Sequence, residues 1–217
     1  MGEAFQHLRS CRLAVVVQSP DRDDLIARAL AAAKGGIELL ALPISVPFVA
    51  EIAAEVADAA NVTVGLSDVV LPEHLNVALA AGAEFVLSPI FDPELIETGR
   101  ARGLDVLCAV ATPNELRSAT RTHSASIAIA PAIGLGGPDY IAALARAFAD
   151  VPLIAMGGIG SDSAPQYLEA GAVAVVVDTG LFPSELDPEA NAVISVRAEA
   201  LVELCASVVM RARQSVV

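Results

Sequence analysis

Short apolar runs alternate with longer amphipathic stretches along the whole chain. LAVVVQ (13–18) and IELLALP (37–43) are rich in aliphatic and β-branched residues and predict buried strands. The stretch between them opens on Ser and Asp caps and closes on Gly35-Gly36, which is typical of a helix. The alternation recurs about every 20–25 residues and predicts eight strand–helix units; the remaining strands are VTVGL (62–66), EFVLSP, DVLCAV, SIAIAP, PLIAMGG and VAVVVDTG.

This alternation predicts a parallel sheet whose strands are joined by right-handed crossovers. Nearly all-apolar strands are buried on both faces, which favours a closed barrel. We therefore predict an α/β fold, a (β/α)8 TIM barrel that residues 1–217 form as a single domain. An open, doubly wound sheet is the alternative. The long helical stretch from about 188 to 213 is a candidate oligomer contact.

Composition and charge narrow the classes of partner. The chain is 55% hydrophobic and has a formal net charge of −13, which argues against nucleic acids and anionic membranes as partners. An anionic small ligand stays open, because backbone N–H groups bind phosphate locally. Cys11, Cys108 and Cys205 show no CxxC spacing and predict thiols in a cytoplasmic protein. The sequence shows neither a signal-peptide apolar region nor an unbroken apolar run of membrane-spanning length.

The strand ends carry the candidate chemistry, because barrels place their sites at the C-terminal ends of strands. Gly157-Gly158 ends the seventh strand and Thr179 follows the eighth, where barrels commonly bind phosphate. Glycines let a ligand approach the backbone, the Thr179 hydroxyl adds a donor, and a helix after Ser161 points its positive end there. A tight turn is the alternative reading of the two glycines. Asp178 opposes a phosphate unless its carboxylate is paired or points away.

Longer segments resemble one known family over nearly the whole chain. They are AGAEFVLSPIFDPELIETGRARGLDVLCAVATPNEL (81–116), KGGIELL, IAPAIGLGGPDYIAAL (129–144), MGGI and DTGLFP. The family is the 2-keto-3-deoxy-6-phosphogluconate/4-hydroxy-2-ketoglutarate (KDPG/KHG) aldolases. The resemblance implies a class I aldolase, a lyase that needs no cofactor and cleaves through a Schiff-base lysine on strand six. It also implies a phosphorylated or keto-acid ligand, a homotrimer, and ligand positions at Ser88, Gly136 and Gly137.

The family's catalytic positions are replaced in this chain. The resemblance places Ala128 at the Schiff-base lysine, Ala41 at the proton-transferring glutamate and Ser45 at the carboxylate-binding arginine; Asp68 takes the place of a threonine and Cys108 that of a proline. An alanine side chain can neither form an imine nor transfer a proton. The single lysine, Lys34, ends the first predicted helix and belongs to the opposite face of the barrel. We therefore predict that the chain does not cleave substrates through a Schiff base.

Several other side chains have two readings. Asp68, Asp92 and Asp178 follow strand ends and are candidate metal ligands, although a helix cap explains Asp92 before Pro93 equally well. Cys108 at the end of strand five is either reactive or buried and inert. The histidines are predicted to be structural, and no nucleophile–base pair can be assigned; they are His7, His74 and His123.

Three hypotheses about function therefore remain, and the sequence leaves open whether the chain is an enzyme. The first is a barrel that binds a small phosphorylated molecule at Gly157, Gly158 and Thr179. The second is an enzyme with altered chemistry, an isomerase or metal-assisted lyase centred on Asp68 and Asp178. The third is a partner-binding barrel whose mouth is filled by side chains.

Overall fold

The chain folds as a closed barrel of eight parallel strands. A computed structural model describes residues 2–19, 21–122, 127–183 and 190–214. The strands pair in chain order, and the eighth pairs with the first, so the predicted barrel is confirmed over an open sheet. The strands are β1 (Leu13–Val16), β2 (Leu39–Pro43), β3 (Thr63–Ser67), β4 (Phe85–Ser88), β5 (Asp105–Val110), β6 (Ile127–Ile129), β7 (Leu153–Met156) and β8 (Ala174–Val177).

One helix precedes β1, and the helices that follow the strands cover the outside of the barrel. The helices are α1 (Glu3–Cys11), α2 (Arg22–Lys34), α3 (Val49–Ala59), α4 (His74–Ala80), α5 (Pro93–Ala101), α6 (Pro113–Arg121), α7 (Gly137–Ala147), α8 (Ala164–Glu169) and α9 (Ala190–Gln214). Within the described ranges, no helix is both long and apolar enough to cross a membrane.

Successive residues of each strand face opposite sides of the wall and build two separate apolar cores. In β2, Leu39 and Ala41 face the barrel interior, whereas Leu40 and Leu42 pack against the outer helices. Phe5 and Phe85 are the largest side chains of the inner core, and Phe85 is 1% exposed. A Cβ atom on Gly65, its partner across the β3–β4 pair, would lie 2.5 Å from the Phe85 ring. The ring therefore occupies space that only a glycine leaves free.

Helix α1 closes the N-terminal end of the barrel, and the sequence did not predict it. Its buried residues Phe5 and Leu8 belong to the inner core. Asp105, at the start of β5, accepts a hydrogen bond from the Phe5 amide at 3.2 Å. Burial of Asp105 raises the pKa of its carboxyl despite this bond. The helix has only nine residues, and its apolar pattern is too short to distinguish it, in the sequence, from an irregular polar terminus.

Cys11, Cys108 and Cys205 form no disulfide among the described residues. Burial raises the pKa of Cys11 and of Cys205 to about 11, so both are protonated at neutral pH. Cys108 is fully buried in the core between the barrel and its helices. Its side chain therefore faces away from the barrel interior.

Helix α6 begins with a capping box, which gives a stability prediction. The Glu115 amide donates to Thr112 Oγ1 at 3.3 Å, and Glu115 Oε2 accepts from the Thr112 amide at 2.8 Å. We expect Thr112→Ala to lower the free energy of unfolding by about 1 kcal/mol in urea denaturation at neutral pH. Thr120→Ala, on the exposed side of the same helix, is the control and should cost clearly less. Equal losses in the two variants would contradict the cap.

The same box predicts a pH dependence. Hydrogen bonds from the Ala111 amide, the Thr112 hydroxyl and the Thr112 amide lower the pKa of Glu115. Because its pKa is lower in the folded state, the contribution of Glu115 is present above the pKa of the unfolded chain. It is lost as the pH falls through the folded-state pKa. The difference between wild type and Thr112→Ala should therefore shrink on acidification.

Candidate functional site

A cavity of about 230 Å³ opens at the C-terminal end of the barrel, and we call it the mouth. Residues that end or directly follow six of the eight strands contribute to it, which is the position where barrel sites form. Its lining consists of Val16, Gln18, Ser67, Asp68, Leu87, Pro89, Ala130, Pro131, Met156, Gly157 and Asp178.

The polar lining of the mouth is acidic. Asp68 and Asp178 contribute carboxylates and Gln18 an amide, and the described lining contains no lysine or arginine. Asp68 has a φ of 61°, a left-handed conformation uncommon for residues other than glycine. The Ser67 hydroxyl donates to Asp68 Oδ2 at 3.2 Å. The mouth therefore presents mainly hydrogen-bond acceptors to a ligand.

Asp178 bonds to the loop after β7. Its Oδ2 accepts a hydrogen bond from the Gly158 amide at 2.9 Å. Its Oδ1 is buried and has no hydrogen-bond partner in the described part of the chain. Tyr167 lies close enough for this charge to act on it: burial first and the Asp178 charge second raise the pKa of Tyr167.

The loops after β7 and β8 are held together by their backbones. Gly160 and Thr179 form a parallel bridge, and the Ser161 amide donates to the Thr179 carbonyl at 3.2 Å. Gly157 and Gly158 have φ values of 91° and 75°. A Cβ atom on Gly158 would lie 2.3 Å from Ile133 Cγ2, so the loop has no room for a side chain there. These values favour the interpretation that the two glycines form a tight turn. Phosphate binding at Gly157, Gly158 and Thr179 stays a prediction.

Comparison with known proteins identifies the scaffold. A family model described as KDPG and KHG aldolase matches residues 5–196. The chain belongs to this family. A 2-dehydro-3-deoxy-phosphogluconate aldolase of Treponema pallidum is 29% identical over 182 residues, which are 83% of this chain and 87% of the relative.

Solved structures of aldolases share the fold. The 2-keto-3-deoxy-6-phosphogluconate aldolase of Zymomonas mobilis ZM4 with 3-phosphoglycerate superposes with a TM-score of 0.83 at 23% identity, over 93% of this chain and 96% of that one. The KDPG aldolase of Legionella pneumophila, with pyruvate captured as a covalent carbinolamine, gives 0.73 at 23% identity, over 91% and 93% of the two chains.

The positions that the aldolase resemblance assigns to lysine and glutamate lie inside the barrel wall. Ala128 of β6 and Ala41 of β2 are both 0% exposed and belong to the inner core. Ser45 is exposed in the loop after β2. It lines a second cavity, of about 460 Å³, which shares Gln18 with the mouth.

Lys34 lies at the other end of the barrel, as predicted from its place before β2. It lines a cavity with Glu38, Asn61 and Val62, which precede or begin the neighbouring strands. Its amine is therefore on the N-terminal face, whereas the mouth is at the C-terminal face.

The other positions that the family resemblance assigned to a ligand are engaged in local structure. Ser88 is 0% exposed, and its hydroxyl donates to the Ile90 carbonyl at 3.1 Å. The Gly137 amide donates to the Ala132 carbonyl at 2.9 Å, and Gly136 precedes α7 with a φ of 119°. Ligand binding at these three positions stays a prediction, and none of them is in the described lining of the mouth.

The structure also places the candidate metal ligands and the histidines. Asp92 Oδ1 accepts from the Glu94 amide at 2.9 Å and caps α5, so Asp68 and Asp178 are the carboxylates at the mouth. Among the described residues, no group of three or more His, Cys, Asp or Glu is arranged to hold a metal ion. His74 accepts from the Val70 amide at 3.3 Å. His7 contacts Glu38 at the opposite end, and His123 lies outside the described residues.

Sequence reasoning did not single out Gln18 and Met156 as parts of the mouth. Gln18 follows β1 and Met156 ends β7, so the rule that sites form at C-terminal strand ends points to both. Neither residue carries a catalytic signature, which is why a search for acids, bases and nucleophiles passes over them.

Proposed function

We propose that this member of the aldolase family binds a small molecule at the mouth without forming a Schiff base with it. One observation carries the proposal: a cavity is present at the mouth, but the single lysine of the chain lies at the opposite end of the barrel. Schiff-base cleavage needs a primary amine that reaches the carbonyl carbon of the substrate. Lys34 does not meet that requirement from the N-terminal face.

The interior beside Ala128 and Ala41 supports the same conclusion. Both methyl groups pack in a solvent-excluded core with Phe85, Leu107 and Ile154. The space on this side of the wall is filled with apolar side chains, which neither bind nor transfer a proton. A ligand therefore contacts the polar groups of the mouth above this core, among them Gln18 and the two aspartates.

The mouth favours a ligand over the hypothesis of a filled, partner-binding barrel. Side chains leave a cavity of about 230 Å³, which is smaller than the pockets that hold drug-sized ligands and therefore suits only a small molecule. The two carboxylates alone do not favour a metal-assisted lyase, because a hard divalent cation prefers six or more oxygen ligands. The family resemblance implies a phosphorylated or keto-acid ligand and a homotrimer, and the proposal requires neither the phosphate nor the trimer.

Trapping with pyruvate and borohydride tests the absence of Schiff-base chemistry. The Legionella relative is described with pyruvate as a covalent carbinolamine, the adduct that an amine forms with a carbonyl. For this chain we expect no stable pyruvate adduct by intact-mass spectrometry after reduction, and no cleavage of 2-keto-3-deoxy-6-phosphogluconate. The T. pallidum relative, treated in parallel, is the positive control.

The variant Lys34→Arg separates specific from incidental labelling. It keeps the positive charge but removes the only lysine amine. A stable wild-type adduct accompanied by measurable cleavage would overturn the proposal. Slow labelling without cleavage that disappears in Lys34→Arg would assign the reaction to Lys34 at the N-terminal face. That result agrees with the proposal, because the label then does not come from an amine at the mouth.

A further inference from the structure

We infer that Asp178 sets the ligand class of the mouth: its carboxylate occupies a backbone amide that would otherwise bind phosphate, so the mouth selects unphosphorylated ligands. The inference rests on the proposed function, because it concerns the small molecule bound at the same site. It makes Asp178 a specificity-determining residue.

The first step is the bond between Asp178 and the loop after β7. In TIM barrels, amides of the loops after strands seven and eight commonly hold the phosphate of a ligand. In this chain the Gly158 amide already donates to Asp178 Oδ2, at a distance of 2.9 Å. The carboxylate is thus an internal anion on that donor, and a phosphate has to displace it to gain the same hydrogen bond.

The second step is electrostatic. A phosphate that binds beside an ionised carboxylate is repelled unless a cation lies between them. The described lining of the mouth contains Asp68 and Asp178 and no basic side chain. Arg28 pairs with Asp24. Arg197 donates to the Gly180 carbonyl at 3.4 Å, so its guanidinium lies at the loop after β8 but outside the described lining of the mouth.

The third step concerns what the mouth accepts instead. Asp178 Oδ1 is buried without a partner, although Asp178 belongs to the lining of the cavity. A ligand donor would reach that oxygen only after a small shift of the lining, and would then satisfy a buried acceptor that is otherwise costly. Asp68 and Gln18 add acceptors on the same lining. An uncharged ligand with several hydroxyl groups matches this arrangement, whereas a phosphate ester does not.

Three variants test the role of Asp178, with inorganic phosphate as the probe in isothermal titration calorimetry. Asp178→Gly removes both the charge and the acceptor, so the Gly158 amide becomes available. Asp178→Asn removes the charge but keeps an oxygen that can accept from that amide. Asp68→Asn is the matched control, because it removes a carboxylate from the same mouth without touching Gly158. Asn also tolerates the left-handed conformation at position 68.

We expect wild type to show no saturable phosphate binding at neutral pH. Asp178→Gly should bind phosphate at least about tenfold more tightly than wild type, and also more tightly than Asp68→Asn. Asp178→Asn should lie between wild type and Asp178→Gly. Circular dichroism and thermal melting establish that each variant is folded before titration, and Asp178→Asn provides the comparison if the glycine variant does not fold.

Two results would overturn the inference. One is wild-type phosphate binding as tight as that of the position-178 variants. The other is a gain in Asp68→Asn equal to theirs, which would assign the effect to overall charge. Failure of the proposed function is seen separately, as a pyruvate adduct with aldol cleavage, because that assay does not depend on phosphate binding at Gly158.

Discussion

Replacing Phe85 by alanine should lower the free energy of unfolding by about 3–5 kcal/mol. Phe85 is 1% exposed and is, with Phe5, one of the two largest side chains of the inner core. The barrel wall around it is closed by hydrogen-bonded strands, so the core cannot collapse into the space that the ring leaves. The loss therefore combines the transfer free energy of the ring with the cost of the cavity, and urea denaturation at neutral pH measures it.

Phe48→Ala is the matched control for this substitution. The same side chain is removed, but Phe48 is 70% exposed in the loop before α3. We expect a change within about 0.5 kcal/mol for this surface position. If the two variants lost similar stability, the inner core would not be the apolar core that the structure shows.

Replacing Asp24 by asparagine should cost about 3 kcal/mol, because it leaves a buried guanidinium without its carboxylate. Asp24 pairs with Arg28 on α2, and the two side chains are only 17% and 9% exposed. Arg28 also lies over the ring of Phe182, 5.9 Å from its centroid, in the segment after β8. Asparagine keeps the size of Asp24, so the loss reports the missing charge.

An exposed ion pair between α2 and α3 provides the comparison. Arg22 donates to Glu55 at 2.8 Å, but these side chains are 46% and 49% exposed. We expect Glu55→Gln to change the free energy of unfolding by less than about 1 kcal/mol, since solvent screens such pairs. A loss in Glu55→Gln as large as that in Asp24→Asn would refute the assignment of the effect to burial.

Asp24 and Arg28 also connect stability to the mouth. Arg28 Nη1 donates to the Gln18 carbonyl at 3.5 Å, and Gln18 is part of the lining. The pair therefore stabilises the loop after β1 through this hydrogen bond. In Asp24→Asn we expect the conformation of the loop at Gln18 to change. The position of Asp178 should stay the same, because its carboxylate is held by the separate loop after β7.

Family membership is shown for this protein, whereas the loss of the family reaction is our proposal. The scaffold follows the aldolases along most of its length, because a barrel depends on a pattern of apolar positions that many residues satisfy. Imine formation depends instead on one amine at one place. In the proposed function, Ala128 keeps the apolar pattern and removes the amine, so that the fold persists without the reaction that the family name describes.

The parallel α/β organisation follows from the sequence, since eight apolar runs at regular spacing are buried on both faces of such a sheet. The pairing of β8 with β1, which excludes the open alternative, is seen only in the structure. The absence of a lysine amine from the mouth also follows from the sequence, because Lys34 is the only lysine and precedes β2. Tertiary structure alone decided which face each apolar strand residue presents. Leu107 and Cys108 are adjacent and both apolar, so only barrel closure shows that Leu107 faces inward and Cys108 outward.

The burial of helix α1 and the role of Asp178 also depend on contacts that only the tertiary structure makes. Phe5 and Leu8 gain their burial from the open end of a barrel that later residues build. Asp178 and Gly158 are twenty residues apart, and two loops bring the carboxylate within 2.9 Å of the amide. The sequence shows that a carboxylate stands near a glycine loop. Whether it repels a ligand there, or replaces one, depends on a hydrogen bond that only the folded chain forms.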